Sequence, residues 1–215
     1  MVYYPVVGAL IGISLWMLYV LLSALFAPPI VHVLLLAGLL LITGGLHLNS
    51  LANTVDGLNR GHSREDILSM IKAFHVGAIA LVVVMLTVLL KYACLGELPS
   101  HAVLPALVLM ATLGRYGMVQ MAFFSPYALA NGSLGEPFVR GVRREHFRVT
   151  LLMTAILVWV AGGVQGLLVG CLVALATLGY QVYCVRRLGG ITSDVLGAAN
   201  EVNESLVLVL VTMMY

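Results

Sequence analysis

Long apolar runs recur along the whole chain, and this repetition limits the possible folds more than any other feature. Most runs approach the length of about 20 mainly apolar residues that a helix needs to cross a bilayer, and the run at 149–161 and the last run are shorter. Charged residues are only 9% of the 215 residues, whereas a soluble domain carries about 25%. A single cleaved signal peptide does not explain runs that repeat to the end of the chain. The sequence therefore predicts an all-α, polytopic integral membrane bundle of six to seven transmembrane helices, forming one domain over residues 1–215. The predicted spans are 5–27, 30–48, 76–95, 102–124, 149–161, 164–185 and a last run after 204.

Glycine and proline positions predict where the spans end or break. Pro28 and Pro29 end the first span, because proline cannot continue the helical hydrogen-bond ladder. The fourth span is expected to be interrupted at 114–117, where two glycines flank an arginine and a tyrosine. The fifth and sixth spans are expected to join at Gly162 and Gly163. The second span, in contrast, is expected to run into the polar segment after it without a break in the helix.

The positive charges predict the orientation. When the spans are counted in order, the polar segments 49–75, 125–148 and 186–204 emerge on the same side of the membrane. They hold nine of the eleven Lys and Arg residues, and Lys91 and Arg115 are the other two. By the positive-inside rule that side is the cytoplasm. A multi-pass protein of the cell (inner) membrane with a cytoplasmic site is therefore expected. The net charge of +2 is too small to indicate nucleic-acid binding.

A stripe of oxygen-bearing side chains follows the second span. Asn49, Asn53 and Asp56 are spaced i, i+4 and i+7, so on a helix they share one face. Such a face at the end of a membrane helix is costly unless it binds something. Carboxylate and amide oxygens suit a hard divalent cation such as Mg²⁺. The alternative is a hydrated helix end with polar residues at the membrane interface.

A second acidic face precedes the last apolar run. Asp194, Glu201 and Glu204 are spaced i, i+7 and i+10, again on one face of a helix. Acidic residues in an apolar helix usually face the bundle interior or a water-filled cavity. The alternative is an amphipathic surface helix with solvated carboxylates. Gly189 and Gly190 lie just before this helix, where glycine would let the backbone approach a phosphate closely.

Arg115 lies within an apolar span, so its guanidinium must be paired or face water. It can bind phosphate through two parallel hydrogen bonds. The alternative is an ion pair with Asp56 or Asp194 that only holds the bundle together. His47 is a candidate base or ligand, although a lone histidine beside an apolar run is more often a packing residue.

From the residues alone, two classes of function stay open. Carboxylates and basic residues on one side of a membrane bundle suit metal-assisted phosphoryl transfer on a diphosphate substrate. They also suit a transporter for an anionic solute, whose binding site would lie between broken helices.

Four stretches of sequence resemble one family, cobalamin synthase (adenosylcobinamide-GDP ribazoletransferase), in family order over nearly the whole chain. They are GGLHLNSLANTVDGL at 44–58, LGRYGMV at 113–119, SPYALANGSLG at 125–135 and RRLGGITSDVLGAANEVNE at 186–204. The resemblance implies a membrane enzyme that joins adenosylcobinamide-GDP to α-ribazole, or to its 5′-phosphate, and releases GMP. It implies Mg²⁺ as cofactor, attack by a ribose hydroxyl on the cobinamide-linked phosphorus, and contact with membrane lipid. A homo-oligomer is also possible for such an enzyme.

The resemblance also implies roles for individual residues. Asp56 and Asp194 would be catalytic and would contact the metal or the diphosphate, and Asn49 and Asn53 would be weaker metal ligands. Glu201 would orient or deprotonate the attacking hydroxyl. The remaining positions would bind substrate, with the basic side chains facing phosphate; they are Arg115, Lys72, His47, Gly189 and Gly190.

The chain departs from the family pattern HLDGLADTxDG in its first acidic motif. Asn49 and Asn53 stand where aspartates are usual, and Ser193 replaces a glycine in GGxTGD. An amide oxygen can coordinate Mg²⁺, but two negative charges beside the cation are lost. The alternatives to an active enzyme are therefore a catalytically impaired relative, or a corrinoid- or anion-binding membrane protein without turnover.

Overall fold

The computed structural model describes residues 1–73, 76–129 and 136–214, which form nine helices and one isolated β-bridge. The predicted all-α bundle is confirmed. The helices are α1 (Tyr4–Ser23), α2 (Pro28–Thr43), α3 (Leu46–Arg60), α4 (Arg64–Ala73), α5 (Ala78–Glu97), α6 (Ser100–Phe124), α7 (Glu136–Arg140), α8 (Arg144–Leu188) and α9 (Ser193–Thr212).

Within the described ranges, five helices are long and apolar enough to cross a membrane, and α2 with α3 forms a bent sixth span. The longest of the five, α8, reverses direction at Gly163, whose φ of 56° and ψ of −139° are not helical. A Cβ atom on Gly166 would lie 2.5 Å from the carbonyl oxygen of Val158. In a continuous helix these two residues would be about 12 Å apart. Therefore α8 is a hairpin of two arms, as the Gly162-Gly163 pair predicts, and the span count agrees with six to seven.

The expectation of an unbroken helix from the second span into the polar stripe is wrong. Helix α2 ends at Thr43, and α3 starts at Leu46 with its axis turned by 87°. Gly44 and Gly45 both adopt left-handed backbone angles, with φ of 62° and 66°. Glycine adopts this conformation without a steric penalty, and it ends helices readily. This elbow turns α3 away from α2 and lays it along α9.

The expected interruption of the fourth span is also wrong. Helix α6 continues through 114–117 and is the most buried span of the bundle. Its two glycines instead provide room for side chains of α9. A Cβ atom on Gly114 would lie 2.7 Å from Oδ1 of Asn200, and one on Gly117 would overlap the amide of Asn203. Small residues let helices approach closely in membranes, and here they admit polar side chains into the core.

The acidic face of α9 points into the bundle. The side chain of Thr192 caps the helix by accepting a 3.2 Å hydrogen bond from the backbone N–H of Val195. Only 5% of Glu201 and 1% of Glu204 is exposed. The alternative of a surface helix with solvated carboxylates is therefore wrong for these two residues, and the burial requires partners for both charges.

One end of the bundle, called the polar end here, consists of the C-terminal half of α3, α4, residues 125–129 and residues 189–192. Arg64 links these parts, because its Nε donates to the carbonyl of Leu188 (2.8 Å) and its Nη2 to that of Ala128 (3.3 Å). The β-bridge joins Tyr127 to Ile191. The Asn131-Gly132 pair, which is a turn signal in the sequence, lies outside the described residues.

Candidate active site and buried ion-pair cluster

The two polar motifs meet where α3 packs antiparallel against α9. Nδ2 of Asn53 donates a 3.0 Å hydrogen bond to Oδ1 of Asp194, across 141 residues of sequence. One turn deeper, Ser50 lies against Gly197, where a Cβ atom would fall 2.5 Å from the serine hydroxyl. Gly197 thus permits the close packing that brings the first motif against the second.

Oδ1 of Asn53 and Oδ1 of Asp56 are among the buried oxygens that have no hydrogen-bond partner within the part of the chain that the structure describes. The other carboxylate oxygen of Asp56 accepts a 3.1 Å hydrogen bond from Nη1 of Arg60, one turn along α3. An unsatisfied buried acceptor costs about 1–3 kcal/mol. Each oxygen has the chemistry to accept a donor or a cation, and Oδ1 of Asp56 lies against Gly77.

The donor set at this point suits Mg²⁺, because it consists of hard amide and carboxylate oxygens. Asn53 and Asp56 are buried, Asp194 is partly buried, and Asn49 is exposed although it lies on the same helix. Over the described ranges, no group of three or more His, Cys, Asp or Glu side chains is placed to hold a metal alone. Mg²⁺ is commonly held by one or two carboxylates together with substrate phosphates, and this arrangement fits that pattern. Asn53, Asp56 and Asp194 are called the polar-end group below.

A second group of charges lies deeper in the bundle. Nζ of Lys91 on α5 contacts Oε2 of Glu201 (2.7 Å) and Oε2 of Glu204 (2.5 Å). Nη1 of Arg115 on α6 contacts Oε1 of Glu204 at 2.7 Å. All four side chains are buried, and the two positive charges balance the two negative ones. These four residues are called the ion-pair cluster below.

Arg115 is paired inside the bundle, and its partner is Glu204 rather than the Asp56 or Asp194 of the alternative interpretation. Its contact with a phosphate stays a prediction. Glu201 also belongs to this cluster, seven residues along α9 from Asp194, which is about 10 Å of helix. The structure thus separates the predicted site residues into two groups, one at the polar end and one inside the bundle.

His47 lies between the two groups, at the start of α3. Its Nδ1 is 3.1 Å from Nδ2 of Asn200, which also donates a 2.8 Å hydrogen bond to Oε1 of Glu204. Because the Asn200 amide is the donor, Nδ1 of His47 accepts and the ring proton lies on Nε2. His47 therefore connects the elbow of α2 and α3 to the ion-pair cluster.

The other predicted substrate-binding positions lie at the polar end. Lys72 is exposed on α4. Gly189 ends α8 with a left-handed φ of 70° and lies against the guanidinium of Arg64, where a Cβ atom would fall 3.0 Å from Cζ. Gly190 packs against the backbone of Pro126 and Ala128. Both glycines are required by the backbone packing, and their contact with a phosphate stays a prediction.

Two residues of the ion-pair region, Lys91 and Asn200, are not identified by the spacing patterns of the sequence. Charge balance is the signal that could have found Lys91, since two buried glutamates and one buried arginine leave a negative charge without a partner.

Comparison with known proteins gives consistent matches over the full length. A family model described as Cobalamin-5-phosphate synthase matches residues 1–212. The chain is 32% identical over 218 residues to a protein of Acetivibrio thermocellus named Adenosylcobinamide-GDP ribazoletransferase, covering 98% of this chain and 85% of that protein. Proteins with the same name from Syntrophobacter fumaroxidans (32% identity, 99% and 86% covered) and Desulfitobacterium hafniense (35%, 96% and 83%) also match. No solved structure matches the chain.

Proposed function

Because the chain belongs to the cobalamin-5-phosphate synthase family, we propose that it transfers the adenosylcobinamide-phosphate group of adenosylcobinamide-GDP to α-ribazole or its 5′-phosphate, releasing GMP. The observation that carries this proposal is the contact between Asn53 and Asp194. It places two polar motifs from distant parts of the sequence at one point, where Oδ1 of Asn53 has no donor among the described residues.

Mg²⁺ held by the polar-end group would offset the negative charge of the diphosphate, which favours displacement at phosphorus. The protein groups around it have separate tasks. Asp56 and Asp194 contribute carboxylates, and Asn53 contributes an amide oxygen while its Nδ2 fixes the orientation of Asp194. The side chain of Arg60 is 55% exposed and holds one oxygen of Asp56, so its remaining N–H groups are available to a phosphate.

The proposed location is the cytoplasmic face of the cell membrane. The protein has the long apolar helices of a multi-pass membrane protein. Nine of its eleven Lys and Arg residues lie in the polar segments that emerge on one side, which the positive-inside rule assigns to the cytoplasm. An amphiphilic corrinoid would then reach the polar end along the membrane interface.

Replacing Asn53 with aspartate should make the stability of the protein depend on Mg²⁺. Nδ2 of Asn53 is 3.0 Å from Oδ1 of Asp194, so the substitution exchanges a hydrogen bond for two facing carboxylates. Like charges at that distance repel each other, and a divalent cation between them removes the repulsion. We expect the thermal midpoint of Asn53→Asp to fall in EDTA and to rise with added Mg²⁺ by more than that of wild type.

Asn49→Asp is the matched control, because it makes the same exchange at an exposed position of the same helix. It should change the midpoint little in either condition. A midpoint of Asn53→Asp that does not respond to Mg²⁺ would show that the polar-end group does not hold the metal.

The combined Asn49→Asp and Asn53→Asp variant should also raise the rate of GMP release and lower the Mg²⁺ concentration that this reaction requires.

The second candidate function is corrinoid binding without turnover, and the two asparagines at 49 and 53 favour it over transport. It predicts that adenosylcobinamide-GDP binds without Mg²⁺ and that no GMP appears. The proposed transferase instead releases GMP when both substrates and Mg²⁺ are supplied to the purified protein.

A further inference from the structure

The α8 hairpin carries exposed arginines at the end opposite its reversal. They are Arg143, Arg144 and Arg148 at the start of the first arm, and Arg186 and Arg187 at the end of the second. At a rise of 1.5 Å per residue they lie about 22–36 Å from Gly163 along the arms. The hydrocarbon core of a bilayer is about 30 Å thick. With the reversal at one surface of the membrane, the guanidinium groups therefore reach the level of the lipid phosphates at the other surface, beside the polar end.

Two aromatic side chains support this placement of the hairpin. Tyr183 is exposed about 30 Å from the reversal, and Trp159 is exposed about 6 Å from it. Tryptophan and tyrosine are enriched at both surfaces of a membrane, where their rings lie at the level of the headgroups. Each arm of α8 thus crosses the hydrocarbon core once, with Arg148 on one arm and Arg186 on the other at the surface beside the polar end.

Arg148 and Arg186 each continue an exposed apolar stripe of their own arm. The stripes consist of Leu152 and Trp159 on the first arm, and of Val164, Leu168, Leu175 and Val182 on the second. Intervals of four and seven residues place each stripe on one face of its helix together with the arginine. Because these apolar side chains are exposed within a membrane span, they face lipid. Each stripe therefore offers an apolar surface to acyl chains and ends in a guanidinium at headgroup level.

Positive charge dominates this end of the hairpin. Glu145 is the one acidic residue in segments 143–148 and 186–187, which hold the five arginines. An anionic lipid surface attracts basic residues placed just outside a membrane span, and a guanidinium binds phosphate oxygens through two parallel hydrogen bonds. A zwitterionic phospholipid carries a cation beside its phosphate, so it gains less from these arginines than a lipid with a net negative charge.

We propose that this end of the hairpin binds anionic phospholipid, with one headgroup phosphate at Arg148 and another at Arg186. The acyl chains of each lipid lie against the apolar stripe of the same arm. Arg187 lies outside the site, because one residue along a helix turns the side chain by about 100°. Its Nη2 instead donates to the carbonyl of Leu58 on α3 at 3.5 Å. The proposal does not depend on the transfer reaction.

The Arg148→Gln and Arg186→Gln double variant tests the proposal. Arg143→Gln combined with Arg187→Gln is the matched control, since it removes one charge from each arm at residues off the stripes, and Arg143 precedes the helix. The full chain is equilibrated in mixed micelles with equal amounts of phosphatidylglycerol and phosphatidylcholine, and the lipids bound to it are counted by native mass spectrometry. We expect the wild type to bind phosphatidylglycerol preferentially. The first double variant should lower that preference about fivefold, which corresponds to about 1 kcal/mol for one basic residue at each site, and the control should stay within twofold of wild type.

A wild-type protein that binds the two lipids in the ratio of the micelle would overturn the proposal, and the arginines would then serve only to orient the hairpin. An equal loss of preference in the control would also overturn it, because diffuse attraction rather than the stripe positions would be responsible. Arg148→Lys combined with Arg186→Lys keeps both charges and should retain most of the preference, which separates loss of charge from loss of fold. The measurement needs no turnover, so an absence of GMP release would leave its result unaffected.

Discussion

Replacing Lys91 with methionine should lower the free energy of unfolding by about 3–5 kcal/mol, the usual effect of removing one partner from a buried ion pair. Nζ of Lys91 contacts both Glu201 and Glu204, and all three side chains are buried. Without the lysine, Arg115 is the only positive charge left to balance two carboxylates. The change is measured by reversible chemical unfolding of the protein in detergent micelles.

A compensating substitution separates charge imbalance from lost packing. Lys91→Met combined with Glu201→Gln leaves Arg115 and Glu204 as one neutral pair, so the double variant should recover most of the lost stability. Lys72→Met changes the same residue type at an exposed position on α4 and should shift the unfolding free energy by less than about 0.5 kcal/mol. A double variant as unstable as Lys91→Met alone would show that charge balance does not hold the ion-pair cluster together.

Replacing Asp194 with asparagine should slow GMP release about 10²–10³-fold, the range seen when one group that stabilises transition-state charge is removed. The substitution keeps the shape of the side chain and an oxygen that can accept the hydrogen bond from Asn53. It removes the negative charge beside Asn53, whose Oδ1 has no hydrogen-bond partner among the described residues. Steady-state GMP release at saturating substrates and Mg²⁺ measures the effect.

Glu65→Gln is the control for this experiment, because it exchanges a carboxylate for an amide at an exposed position of α4. It should retain the wild-type rate. Thermal unfolding should give similar midpoints for both variants and the wild type, so that a lost rate is not a lost fold. A rate for Asp194→Asn within a few-fold of wild type, with the fold intact, would remove Asp194 from the catalytic group.

The sequence predicts the membrane bundle well because the signal is long and repeated. Each apolar run is by itself a sign of a helix surrounded by lipid. The Gly162-Gly163 pair correctly predicts the position at which α8 reverses direction. Glycine positions in the sequence fail to predict helix breaks where glycine serves two different purposes. Gly44-Gly45 breaks a helix through left-handed backbone angles, whereas Gly114 and Gly117 make space for α9 within a continuous helix. Sequence alone does not separate these two uses of glycine.

The candidate site was only partly predictable. Helical spacing places Asn53 and Asp56 on one face of α3, where both are buried. It places the acidic residues of α9 on another face, where Glu201 and Glu204 are buried and Asp194 is partly buried. Spacing does not show which partner each face meets. The contact of Asn53 with Asp194, and that of Glu201 and Glu204 with Lys91, depend on how distant helices pack. Similarity to the family indicates that the two motifs belong to one site. The ion-pair cluster, in contrast, can be identified only from the three-dimensional structure.

The central claim is that this chain transfers the adenosylcobinamide-phosphate group to a ribazole acceptor. The most direct measurement supplies the purified protein in nanodiscs with adenosylcobinamide-GDP, α-ribazole and Mg²⁺, and quantifies GMP and the joined corrinoid product by chromatography. We predict that the two products appear in equal amounts and that neither appears when α-ribazole or Mg²⁺ is omitted. Binding of adenosylcobinamide-GDP with no GMP formed, even at high enzyme and Mg²⁺ concentrations, would contradict the claim and identify a corrinoid-binding relative without turnover.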